Sequence, residues 1–89
     1  MKTVSIIVSG KVQGVFYRQS TKELATALEL KGQVRNMPDE TVEIIATGTE
    51  EQIEKLVKWC RVGPPKAQVA DVFVKEIAQQ TFDRFTIAR

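Results

Sequence analysis

Ser9-Gly10-Lys11-Val12-Gln13-Gly14-Val15-Phe16-Tyr17-Arg18 carries the chain out of a β-branched run and into a helical one. Upstream, Thr3 to Ser9 places Val4, Ile6 and Val8 on one face, the period of a strand. Downstream, from about Tyr17 to Lys31, Leu24, Ala25 and Leu28 fall on one side of a helix, and Gly32 is its expected stop. Glycines at both ends of the connection let the backbone fold back tightly and let its N–H groups converge. Converging amides beside a helix N-terminus make an anion site, and Arg18 adds a planar, permanently charged fork that matches phosphate oxygens. On these grounds alone the segment is a cradle for phosphate or carboxylate. It has neither the GxxxxGK[ST] nor the GxGxxG spacing of the common nucleotide-binding loops.

Beyond this first β–α unit, Gln33 to Met37 reads as a short strand and Pro38-Asp39-Glu40 as a turn. Thr41 to Thr47 is a third strand, with Val42, Ile44 and Ala46 on one face. Thr49 and Gln52 then form a capping-box pattern ahead of an apolar stripe of Ile53, Leu56, Val57 and Cys60. Glu50, Glu51 and Glu54 come early in that helix and Lys55, Lys58 and Arg61 late. This order suits the helix dipole and supplies two Glu-to-Lys pairs at i,i+4. Gly63-Pro64-Pro65 ends it. Ala70 to Ile77 is a fourth strand, with Val72 and Val74 inward and Asp71 and Lys75 on the other face; Phe82 to Ala88 is a fifth, with Phe85 and Ile87 on one side. The order is βαββαβ, the last two runs forming the closing part. It predicts an α+β, ferredoxin-like split-βαβ sandwich: two helices on one face of a mostly antiparallel sheet of four to five strands. With no repeat or linker, residues 1–89 read as a single domain.

The chain has 89 residues, one cysteine and no histidine. One cysteine excludes an internal disulfide. The lack of histidine removes Cys-His and Ser-His-Asp catalysis and argues against a zinc site, leaving chemistry that needs little proton transfer. The net charge of +2 comes from scattered Lys and Arg interleaved with Glu. That suits a small anion better than nucleic acid, which goes with a clustered basic stripe. The expected first and third strands also lack the paired aromatics on which RNA-binding sheets stack bases. No apolar run approaches the ~18 residues of a membrane span, and Val4 to Val8 is too short for a signal segment. The expectations are a cytoplasmic protein with no membrane partner, and nothing in the sequence demands more than a monomer.

Gly10 to Arg18 resembles the GxVQGVx[FY]R signature of the acylphosphatase family. Gly32, Val34, Arg35, Asn36, Val42 and Gly48 resemble that family's second motif at its spacing. A helix follows, then Gly63-Pro64-Pro65 with Ala67 and Val69. The resemblance spans essentially the whole chain. It implies hydrolysis of small acyl phosphates to a carboxylate and inorganic phosphate, with no cofactor and no metal. It further implies that Arg18 binds the phosphate, Asn36 orients the attacking water, and the amides of Lys11, Val12, Gln13, Gly14 and Val15 form the cradle. Gln33 stands where the family usually has an aromatic residue. Glu40 stands where it usually has glycine, which leaves room for a different turn after Asn36.

Three rival readings remain at this point: a non-catalytic anion-binding regulatory module, an RNA-binding module on the same fold, and a piece of a larger carbamoyl-transfer enzyme. The methionine start and the end at Arg89, just past the last strand, favour an independent protein over the third. Among the remaining residues, Phe16 and Tyr17 are expected as core anchors of the loop and Cys60 as a buried thiol. Trp59 is expected at the helix–sheet edge, Lys11 as a solvated residue, and Arg35 pointing away from Asn36. Gln13 either braces the loop or is exposed.

Overall fold

The structure, a computed structural model, describes residues 1–88; Arg89, where the sequence reading ended the domain, lies outside them. The strands are β1 (Lys2–Lys11), β2 (Lys31–Asn36), β3 (Val42–Gly48), β4 (Gln68–Ile77) and β5 (Phe85–Ile87), and the helices are α1 (Tyr17–Ala27) and α2 (Glu50–Cys60). They form one sheet in the order β4-β1-β3-β2-β5, antiparallel except for the β2–β5 pair. α1 lies over β2 and β5 and α2 over β1, β3 and β4, so both helices cover the same face. This is the ferredoxin-like sandwich expected from the element order. The last two strands take opposite edges of the sheet rather than closing it side by side.

Alternation builds the core. Val4, Ile6 and Val8 meet Ala46, Ile44 and Val42 across the β1–β3 ladder, and all are buried under the helices. α2 adds Ile53, Leu56 and Cys60. Val74 shares the helix face with Val72 but is 37% exposed, because β4 is an edge strand that α2 only partly covers. On the far face, Thr3 and Thr47 are buried and hydrogen-bond each other at 2.7 Å. Gln80 caps both: its N–H donates to Thr3 Oγ1 and its carbonyl accepts from Thr47 Oγ1, each at 2.9 Å. These bonds fix the path from β4 to β5 across the end of the sheet.

α1 ends earlier than its periodicity suggested. Glu29 takes a left-handed conformation (φ 63°), its N–H reaches the Thr26 carbonyl, and the Leu30 N–H reaches that of Ala25. This pair of bonds is a Schellman stop, with buried Leu30 as its apolar contact. Gly32 therefore belongs to β2, where any side chain would run into the Ile45 carbonyl. The stripe that α1 buries is Tyr17, Thr21 and Ala25, with Leu24 and Leu28 half-buried.

Candidate active site

A β-bulge starts the site. The β1–β4 register shifts between Ser9 and Gly10, and Gly10 sits at φ 112°. A Cβ there would collide with the Gln68 carbonyl, so this sharp departure from the ladder needs glycine. The chain then turns through Val12 to Phe16 over the ends of the strands. Val12 and Val15 bury their side chains, which leaves the backbone between them at the surface. The N–H groups of Gln13, Gly14, Val15 and Phe16 donate to no acceptor among the described residues.

α1 begins here without a side-chain cap and without an acidic residue in its first turn. Its uncapped amides and the helix dipole leave positive partial charge at this end. Arg18, in the same turn, makes no ion pair and no side-chain hydrogen bond among the described residues. Tyr17 anchors the turn: its hydroxyl donates to the Cys60 carbonyl at 2.7 Å and its ring lies 5.2 Å from that of Trp59. Burial pushes the Tyr17 hydroxyl pKa well above its ordinary value, so it stays protonated and keeps donating.

Asn36 closes β2 on the helix-facing side. Its neighbour Arg35 points to the other face and pairs with Glu43, Nε to Oε1 at 2.8 Å. Asn36 Oδ1 is buried and has no hydrogen-bond partner among the described residues. In a folded core such an atom is rare and costly, and its acceptor lone pairs are available to a ligand or water.

One cavity of about 420 Å³ collects these groups: Val12, Gly14, Phe16, Tyr17, Arg18, Gln19, Asn36 and Ile87 line it. Arg18 and Asn36, distant in sequence, thus face a common space with the loop. Lys11 is the last residue of β1, exposed, paired with Gln68 and outside the lining. Gln13 turns away from the cavity: its Nε2 donates to the carbonyls of Met37 and Thr41, both at 2.9 Å. It therefore pins the loop to the turn that follows Asn36, resolving the choice that the sequence left open. Within that turn Glu40 sits at φ 72°, the left-handed region that glycine favours. Asp39 braces the turn by accepting from Thr41 Oγ1 and N–H, which lowers its pKa.

The core role expected for the aromatic pair holds for Tyr17 but not for Phe16. Phe16 is the N-cap of α1 at φ 66° and is 75% exposed. Sequence reasoning also passed over Gln19 and Ile87 as cavity residues. The available signal was an aromatic residue at the position where a helix usually carries Ser, Thr, Asp or Asn. Among the described residues no three His, Cys, Asp or Glu side chains gather to hold a metal ion, and no helix is long and apolar enough to cross a membrane.

The family model for acylphosphatase matches residues 4–87. An acylphosphatase of Methylococcus capsulatus is 46% identical over 90 residues, covering 100% of this chain and 98% of that protein. Among solved structures, the Bacillus subtilis acylphosphatase superposes with a TM-score of 0.96 at 36% identity, each chain covered fully. An acylphosphatase from Coxiella burnetii gives 0.94 at 38% identity, over 98% of this chain and 92% of that one. Sequence, fold and whole-length coverage agree, and the chain belongs to the acylphosphatase family, enzymes that hydrolyse acyl phosphates.

Proposed function

We propose that Arg18 and the loop amides of Gln13, Gly14, Val15 and Phe16 hold the phosphoryl group of a small acyl phosphate while Asn36 positions the water that attacks it; Lys11, paired with Gln68 in the β1–β4 ladder, lies outside this cradle. The observation that carries this reading is the buried Asn36 Oδ1 in the same cavity as Arg18, neither with a side-chain partner among the described residues. An acyl phosphate is a mixed anhydride whose leaving group is a carboxylate, stable at neutral pH without a proton. No general acid is required, which suits a chain with no histidine. Water donates a hydrogen bond to Asn36 Oδ1, turns a lone pair toward phosphorus, and attacks in line with the leaving oxygen. The P–O bond to the acyl group breaks, the electron pair leaves with the carboxylate, and a phosphoryl oxygen takes the proton from the water. Arg18 and the amides stabilise the equatorial oxygens throughout, so the scheme calls on no metal or cofactor.

The same reading takes residues 1–89 as one unit acting as a monomer in the cytoplasm on a small-molecule substrate. Hydrolysis of benzoyl phosphate in the presence of EDTA, with Arg18→Ala alongside, tests it. Turnover that survives the chelator and collapses in the variant is expected. Phosphate binding without turnover would point instead to an anion-binding regulatory module on the same fold.

A further inference from the structure

We infer that Phe16 is a specificity-determining residue: it is a platform for the acyl group, and it selects aryl over small alkyl acyl phosphates. The inference rests on the hydrolysis proposed above and deepens it. Two unfavourable features meet at this one residue. A bulky side chain sits in the left-handed region, φ 66° and ψ 21°, where Cβ crowds the backbone. A large apolar ring is also 75% exposed, between Val15 at 4% and Tyr17 at 1%. Glycine or asparagine would adopt this backbone at lower cost, and a polar side chain would solvate better. The ring is not one of the buried or half-buried side chains that make up the hydrophobic core, so the fold gains little from it. Strain of this kind collects at ligand sites.

The cavity supplies the ligand. Its polar end is Arg18, Asn36 and the Gly14 backbone, and its remaining wall includes Phe16 and the half-buried Ile87. A volume of about 420 Å³ falls within the usual range of small-ligand pockets, on the order of 300–1,000 Å³. It is more than a phosphate fills, since one water occupies roughly 30 Å³. With the phosphoryl group at the polar end, the acyl group extends toward the phenyl ring. A planar aryl group gains from burial and from ring–ring contact, whereas a methyl group is too small to cover the ring.

Stacking on the acyl group is made equally in the ground state and the transition state, so it belongs in KM rather than kcat. The test compares benzoyl and acetyl phosphate for the wild type, Phe16→Ala, Phe16→Gly and Phe16→Trp. The wild type should show the lower KM for benzoyl phosphate. In both the Ala and Gly variants the ratio of the two KM values should fall by about tenfold, roughly the 1.4 kcal/mol of a tenfold change in affinity, and Phe16→Trp should keep it. The Gly variant separates the ring from the backbone, because it removes the phenyl group and the strain together. A ratio unchanged in Ala and Gly overturns the inference, and so does a fall in only one of them, which would trace to the backbone. In either case turnover of both substrates by the wild type leaves the proposed reaction standing. Failure of the wild type to hydrolyse either substrate overturns the reaction itself.

Discussion

α1 and α2 are each 11 residues long, cover the same face of the sheet, and begin in opposite ways. α2 is closed at its start. Thr49 Oγ1 accepts from the Gln52 N–H at 3.2 Å, Gln52 Oε1 accepts from the Thr49 N–H at 2.8 Å, and Glu50 and Glu51 face the positive end of the dipole. α1 is open. Phe16 offers no side-chain cap, no acid lies in the first turn, and the first charged residue of the helix is the cation Arg18. A structural helix satisfies its own N-terminal amides. A helix that keeps them unpaired and adds positive charge gives up stability to leave room for an anion. The difference separates a helix start that its own side chains close from one left open beside the cavity.

The comparison breaks hardest at Arg18. Arg18→Ala should lower kcat/KM for benzoyl phosphate by about 10²–10³, or roughly 3–4 kcal/mol of transition-state stabilisation, read from initial rates.

The open end of α1 is also tied to the far end of α2, through the Tyr17 hydroxyl on the Cys60 carbonyl. That junction should show in alkaline stability. Burial pushes the Cys60 thiol from 9.0 up to about 12, against the opposing pull of Tyr17 and Arg61. The unfolded chain therefore releases this proton at lower pH than the folded one. Stability is full below about pH 9 and falls as pH rises toward 12, by up to about 1.4 kcal/mol per pH unit. The raised Tyr17 hydroxyl adds to the loss from about pH 10 upward. Urea unfolding between pH 8 and 11 measures the slope; a flat profile would mean that the junction opens to solvent.

Copying α2's acidic first turn into α1 gives a smaller effect. Gln19 lies in the first turn and lines the cavity. Gln19→Glu should weaken inhibition by inorganic phosphate about fivefold, through charge repulsion at close range. Its stability gain from the dipole should be largely offset, because Gln19 now donates to Glu23 at 3.1 Å and a glutamate would repel it. Opening α2 instead, with Thr49→Ala, should cost about 1 kcal/mol in urea unfolding and leave KM and kcat alone, since Thr49 does not line the cavity.

The closed half of the molecule was the easier half to read. Thr49, Gln52 and the Ile53-Leu56-Cys60 stripe are local signals, and the capping box formed as written. The inward faces of β1 and β3 followed from alternation alone. The end of α1 did not, because Glu29 does the work that Gly32 was expected to do. A left-handed glutamate leaves no mark in composition; burial of Leu30 is what favours it. In the site, the glycine-bracketed loop and Arg18 stood out from the residues themselves, and the family resemblance supplied Asn36; the structure brings all three to one cavity. The link between them was not legible. Gln13 reaches Met37 and Thr41 across 24 and 28 residues of sequence, a contact that only the sheet order creates. Phe16 was misplaced because an aromatic beside Tyr17 suggests a core; it is the left-handed backbone at the start of the helix that turns it outward.

The central claim is a division of labour: Arg18 and the open end of α1 hold the anion, and Asn36 holds the water. Calorimetric titration of inorganic phosphate into the wild type, Arg18→Ala and Asn36→Ala, with kcat measured on the same preparations, tests it most directly. Asn36→Ala is expected to bind phosphate within about twofold of the wild type while its kcat falls by about 10² or more, and Arg18→Ala to lose phosphate binding. An Asn36→Ala variant that lost phosphate affinity as Arg18→Ala does, or that raised KM with kcat intact, would contradict the account.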